Sequence, residues 1–273
     1  MSNESGRNSV IAFESNIFVK GALRPLAMPE LRHDNLDALI EFLRERREEY
    51  GNTKEGIIAK VRNIDDRVIR AFAQVPREDF VHPMLAEFSY FDFPLPIPGL
   101  QRPVPKPSYL LRVLNYLEVA SPNIVLDLPG DSGYVAALLS KLARQVVVVE
   151  PLPSLANEAR ERMQRIGINN VSIITRDVEP LGYEDKAPYD RIFVGALLRD
   201  VHTRLVSQLR VGGIMVAPIL EDKEAKIEDF YSEPPPLQSL YRIRRTNEGA
   251  KSEFLLTCRA APFVTPQTQM IPS

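Results

Sequence analysis

The spacing of apolar and polar positions changes character along the chain, and each change predicts a different kind of element. From Asp34 the period is helical: Leu36, Leu39, Ile40 and Leu43 share one face, charged residues fill the other, and Gly51 is placed to cap the C-terminus. Two shorter helices are expected at Thr53–Arg62 and Asp65–Ala73, the second opened by the capping candidate Asp65 with Val68, Ile69 and Phe72 on one side. Beyond residue 109 short apolar runs alternate with helical periods. Strands are expected near Ile124–Leu128, Gln145–Val149, Val171–Thr175, Arg191–Val194 and Gly213–Pro218. Helices are expected near Tyr109–Leu117, Gly133–Leu142, Ser154–Ile166 and Asp200–Leu209. Fully apolar strands separated by helices predict a doubly wound, mostly parallel α/β sheet covered on both faces. Ile124–Leu128 should be its central strand, with Val146–Val149 as the parallel neighbour. Leu237–Ile243 and Glu253–Cys258, joined across Asn247-Glu-Gly249, predict a terminal hairpin.

The remaining segments set the domain plan. Residues 1–30 hold no sustained period and form an arm. Residues 31–265 are expected to be one α/β domain, with a helical layer over 31–80 and the sheet core over 109–260. Residues 266–273 form a tail. Pro94, Pro96, Pro98, Pro103, Pro105 and Pro107 predict a stiff, extended rib over 94–107, because each proline fixes φ and removes an amide donor. The charged and then prolyl stretch Glu221–Pro236 reads as a loop. The arm places Ile11, Phe13, Ile17, Phe18 and Val19 on a segment with no core of its own. That predicts docking, either on a protein partner, on a second copy in a homo-oligomer, or back on the same chain.

Composition narrows the function classes. The chain has 273 residues and a formal net charge of −2, which gives no reason to expect a nucleic-acid partner. The clusters Arg44/Arg46/Arg47 and Arg242/Arg244/Arg245 are read as solvated faces. His33, His82 and His202 lack ligand spacing, so no metal is expected. Cys258 is the only cysteine and is read as a small strand residue, not a nucleophile; its solitude fits a reducing compartment. No run approaches the roughly 18–20 apolar residues of a membrane span. Met1–Lys20 is a poor secretory or transit signal, so a soluble, cytoplasmic protein is expected.

The candidate chemistry lies in Leu126-Asp-Leu-Pro-Gly-Asp-Ser-Gly-Tyr134 and in Glu150, which follows Asp127 by 23 residues. A buried strand, a tight loop, a helix, a second strand and a ribose-reading acid open a nucleotide-binding sheet. Pro129 and Asp131, however, stand where such a loop wants glycine.

Five stretches carry a resemblance to the protein-L-isoaspartate O-methyltransferase family. They are Asp66–Val81 with its Val-Pro-Arg-Glu core, Tyr90–Ile97 with Pro-Leu-Pro-Ile, Ser132–Tyr134, Val149–Ala156, and Ala187–Val194. The late segment Leu240-Tyr-Arg-Ile-Arg-Arg-Thr is similar too. The resemblance implies the class I S-adenosylmethionine-dependent methyltransferase fold and methylation of an isoaspartyl carboxylate, a protein-repair reaction. It implies cofactor-binding roles for Asp127, Gly133, Glu150 and Asp177, and an adenine-side position for Tyr183. Strand-end or helix-capping duties for Glu150 and Asp177, and a core position for Tyr183, remain open alternatives.

Two departures weaken those implications. Pro129 and Asp131 replace the first two glycines of an E-x-G-x-G-x-G-like loop, with Gly130 able to help only if the turn is shifted by one residue. The family's Gln-Thr-Ile-Ser-Gln-Pro-like loop supplies a hydroxyl at the acceptor carboxylate. Here Pro105 or Val104 takes that position, and Ser108 is read as a helix cap. No catalytic residue is therefore assigned, and cofactor binding is expected to be weak or absent. The expected function is an impaired or inactive relative retained as a structural or interaction subunit. The alternatives are an active isoaspartyl methyltransferase or a carboxyl methyltransferase with another acceptor.

Overall fold

The computed structural model describes residues 36–97, 100, 102–222, 224–225 and 236–263. The N-terminal arm, most of the Glu221–Pro236 loop and the tail from residue 264 lie outside them. Helices α1 (Leu36–Glu45), α2 (Arg47–Tyr50), α3 (Lys54–Lys60) and α4 (Asp66–Gln74) form the expected helical layer. Thr53 and Asp65 cap α3 and α4 by accepting from the backbone N–H groups of Gly56 and Arg67. Gly51 is the C-cap of α2, in an extended conformation (φ −61°, ψ 133°), with its N–H donating to the Arg47 carbonyl.

The proline-rich segment corrects the expectation of an extended rib. It doubles back as a small hairpin, with β1 (Leu95–Pro96) antiparallel to β2 (Pro103–Val104). Pro98 and Gln101 fall outside the described residues. Leu95, Ile97, Leu100 and Val104 are buried in the main core, so this segment packs inward and offers little of itself for docking. The prolines do not prevent the fold-back because a two-residue ladder asks for few amide donors.

Arg77 holds that hairpin to the helical layer. It lies in a 3-10 turn, Arg77–Phe80, and its guanidinium is fully buried. It donates to the carbonyls of Ser89, Phe93, Val104 and Pro105. Burial pulls its pKa down to about 10, still well above neutral, so it remains a cation. The Val-Pro-Arg-Glu motif is thus a structural staple.

After the hairpin come α5 (Pro107–Leu117), β3 (Ile124–Leu128), α6 (Tyr134–Ser140), β4 (Gln145–Glu150), α7 (Pro153–Arg165), β5 (Val171–Thr175), β6 (Tyr189–Val194), α8 (Thr203–Gln208), β7 (Leu209–Leu220), β8 (Gln238–Thr246) and β9 (Gly249–Cys258). They build a seven-stranded sheet in the order β5-β4-β3-β6-β7-β8-β9. The pairs from β5 to β7 are parallel, and β7-β8-β9 are antiparallel. β3 and β4 are the parallel neighbours that the apolar runs predicted. Period-two alternation divides their side chains between two cores: Val125, Val146 and Val148 join one, Leu126, Leu128, Val147 and Val149 the other.

The last α/β unit departs from expectation at one boundary. α8 is short, and β7 starts at Leu209, because Leu209 pairs with Tyr189 across an irregularity in the β6–β7 ladder. Two side-chain readings also change. Ser108 does not cap α5, whose N-cap is Lys106; its N–H and hydroxyl both donate to the Asp92 carboxylate. The arginine clusters are engaged, not merely solvated: Arg44 and Arg47 bridge Glu87, Arg242 bridges Glu118 and Glu253, and Arg245 reaches the carbonyls of Ser207 and Leu209.

Replacing Arg77 tests the staple. Arg77→Met should leave buried carbonyls without donors and lower unfolding free energy by about 3 kcal/mol or more, read from urea denaturation. A change below about 1 kcal/mol would contradict the role given to it.

Candidate functional site

Strand order reverses between β3 and β6: the chain runs outward through β4 and β5, then returns to the other side of β3. In open α/β sheets, ligands bind beyond the carboxyl ends of the strands at such a switch point. Here that place is bounded by the loop after β3, Glu150 at the end of β4, and Gly195 after β6.

The loop after β3 turns sharply into α6. Asp131 (φ 48°) and Gly133 (φ 85°) take left-handed conformations, so Asp131 performs a backbone task usually left to glycine. Gly130 is required for a different reason. A Cβ there would lie 2.3 Å from the Val148 side chain, while its N–H donates to the Val149 carbonyl at 3.1 Å. The turn thus combines two left-handed residues, Asp131 and Gly133, with a close approach at Gly130.

The Glu150 carboxylate is occupied by the protein itself. One Glu150 oxygen accepts from the Asp131 N–H at 2.8 Å, and the other accepts from the Leu152 N–H at 2.9 Å. Its side chain is almost wholly buried, at 2% exposure. Burial, followed by the charge of Asp131, pushes its pKa up to about 7. Asp127 is fully buried, and neither carboxylate oxygen has a hydrogen-bond partner. Burial first, then the charges of Asp131 and Glu150, raise its pKa well above the usual carboxylate range. A neutral carboxyl is the form such a position tolerates.

The counter-charge comes from a residue that sequence reading passed over. Arg102, immediately before β2, is 5% exposed, and its guanidinium donates to the Asp131 carboxylate at 2.7 Å. The same nitrogen lies 3.6 Å from where a Cβ on Gly195 would be. Its other terminal nitrogen donates to the carbonyls of Ala261 and Pro262 at 3.4 and 3.0 Å. Arg102 thus sits across the ends of β3 and β6 and ties the chain after β9 over them. Only the coincidence of a cation in the proline-rich segment with the extra acid Asp131 could have signalled the pair.

The other expected site residues lie at the same end of the sheet, Gly133 in the loop after β3 and Asp177 two residues past Thr175, which pairs with Glu150. Gly133 precedes α6, where a Cβ would press against Ala159 of α7 at 3.1 Å, which gives it a packing role as well as a turn. Asp177 is exposed after β5, and its carboxylate accepts from the Glu179 N–H at 3.3 Å. No helix follows it, so it caps none. Tyr183 is half-buried against the second core and donates its N–H to Gln208. Asp127, Asp131 and Glu150 are brought close enough for their charges to interact.

The comparisons with known proteins fit this architecture. The family model described as Protein-L-isoaspartate(D-aspartate) O-methyltransferase (PCMT) matches residues 52–236. The chain belongs to this family. It is similar to the protein-L-isoaspartate O-methyltransferase of Koribacter versatilis, 36% identical over 200 residues, covering 73% of this chain and 83% of that one. It is similar to a second such enzyme from Pelobacter propionicus, 39% identical over 201 residues with the same coverage of both chains. A solved protein-L-isoaspartate O-methyltransferase shares the fold at TM-score 0.65 and 23% identity, over 78% of this chain and 66% of that one. A Plasmodium falciparum structure described as a complex with S-adenosyl-L-homocysteine does so at TM-score 0.59 and 24% identity, over 82% and 96%. The mixed sheet is that of the class I S-adenosylmethionine-dependent methyltransferases.

Pro129 offers no N–H, the Asp131 side chain is paired in the crevice, and both Glu150 oxygens are engaged by backbone donors. Asp127 alone remains a free buried acceptor.

The raised pKa of Glu150 sets a pH dependence. The folded state holds its proton up to about pH 7 while the unfolded chain releases it near 4.5, so Glu150 makes stability fall as pH rises through that window. Glu150→Gln should therefore gain on the wild type between about pH 4.5 and 7 and run parallel to it above, in chemical denaturation across pH. A difference that is flat throughout would show that Glu150 ionises normally.

Proposed function

We propose that this family member does not carry out methyl transfer with ordinary efficiency and serves as a structural or interaction subunit. One observation carries the reading: the Arg102–Asp131 pair at the switch point, its arginine buried and its aspartate partly exposed, with Glu150 locked beneath it. A methyl-transfer enzyme needs the donor sulfonium and the acceptor oxygen held within attack distance. An internal ion pair where the donor would enter works against that, and breaking such a pair to admit a ligand costs several kcal/mol. The absence of a hydroxyl at Val104 and Pro105 supports the same reading on the acceptor side. The arm, with Phe13, Phe18 and neighbouring apolar residues, is proposed to dock on a partner protein or a second copy. The lone free thiol of Cys258 suits a reducing, cytoplasmic setting.

Asp127 favours a second reading. A fully buried carboxyl with both oxygens unpartnered could accept from a ligand's donor group, and the relatives are named as enzymes. On that reading Arg102 moves aside and the protein is an S-adenosylmethionine-dependent isoaspartyl or other carboxyl methyltransferase.

Calorimetric titration with S-adenosylhomocysteine separates the two. The proposal expects no micromolar binding by the natural protein. The variant combining Pro129→Gly, Asp131→Gly and Arg102→Gln should bind about tenfold or more tightly, since it frees an amide and removes the pair together. Micromolar binding by the natural protein would refute the proposal.

A further inference from the structure

β9 ends the sheet, and its outer edge pairs with no described strand. A long strand with one open edge is a template for another strand. Its hairpin fixes which backbone groups face outward. Thr246 and Gly249 close a two-residue turn, so they form a hydrogen-bonded pair, and Gly249, Lys251 and Glu253 bond to β8. The N–H and C=O groups of Ala250, Ser252 and Phe254 point away from the sheet.

We propose that this edge pairs antiparallel with the same edge of a second copy, with Ser252 on the two-fold axis. The charge pattern selects that register. An axis on Lys251 or Glu253 would set like charges face to face. An axis on Phe254 would run into the irregularity that separates Phe254 from Leu256 in the β8–β9 ladder. An axis on Ala250 leaves Lys251 opposite Gly249, without an acid. With Ser252 on the axis, Ser252 pairs with its own copy and Ala250 with Phe254 of the second copy through hydrogen bonds. Lys251 and Glu253 of the second copy then form a non-hydrogen-bonded pair, where side chains approach most closely.

Two further observations support a second copy as the occupant. Lys251 lies across the ladder from Arg244, a like charge, and no acid contacts it among the described residues. Glu253 is held from its other side by Arg242 at 2.6 Å, so it stands ready on the strand for one more cation. Phe254 is 54% exposed beside Tyr241, and the pairing would cover it. This inference does not rest on the cofactor reading and holds whether or not the crevice binds a ligand.

Sedimentation equilibrium of the full chain tests it. The natural protein should show a monomer–dimer equilibrium. Lys251→Glu and Glu253→Lys should each weaken it about tenfold or more, and the double variant should recover most of the loss. In a Cys258→Ser background, Ser252→Cys should cross-link two chains on mild oxidation, because cross-strand Cα atoms in a hydrogen-bonded pair stand about 5.5 Å apart. Ala250→Cys should not. A natural protein that stays monomeric, or a dimer indifferent to both charge reversals, would overturn the proposal.

Discussion

The Arg102–Asp131 ion pair is the constraint around which the switch point is organised. Asp131 must supply a left-handed turn, lend its N–H to Glu150, and carry a charge on a partly covered side chain. Without a cation, Asp131 would stand as an uncompensated acid beside Glu150 and the orphaned Asp127. Arg102 supplies that cation, and its position depends on the β1–β2 hairpin being folded inward. The hairpin in turn depends on Arg77, whose guanidinium collects the carbonyls that the prolines and bends leave over. Two buried arginines therefore connect the helical layer, the proline-rich segment and the sheet's functional end.

This chain of dependence explains how a loop can lose its glycines without losing its shape. The left-handed φ at the second position survives because aspartate tolerates it better than most residues. Close approach is still provided by Gly130 and Gly133, at the contacts with Val148 and Ala159. The electrostatics of the loop are set by its own contacts: the Asp131 carboxylate pairs with Arg102, and the Asp131 N–H donates to Glu150. The strap formed by Ala261 and Pro262 belongs to the same arrangement, since its carbonyls share the guanidinium that neutralises Asp131.

The sheet was legible in the sequence because its strands are buried on both faces and therefore read as continuous apolar runs, as at Val146–Val149. The positions of Asp127 in β3, Gly133 before α6 and Glu150 at the end of β4 were legible because the order strand, turn, helix, strand, acid is local. The fold-back of the proline-rich segment was not, since φ restriction at each proline says nothing about which carbonyls a distant arginine will collect. Arg102 escaped notice for a related reason: an ion pair across 29 residues of chain leaves no periodic trace. The helix cap assigned to Ser108 failed because the acceptor came from Asp92, outside the local window. Asp177 follows β5 just past Thr175, the partner of Glu150, and its carboxylate accepts from the Glu179 N–H.

A double-mutant cycle between Arg102 and Asp131 measures the central interaction most directly. Unfolding free energies of Arg102→Leu, Asp131→Asn and the combined variant would be compared at neutral pH. If the pair holds the crevice, each single change costs about 2–4 kcal/mol, and the double costs less than their sum by about 1.5–3 kcal/mol. Effects that add to within about 0.5 kcal/mol would mean that the two residues act independently, and the crevice would have to be closed by something else.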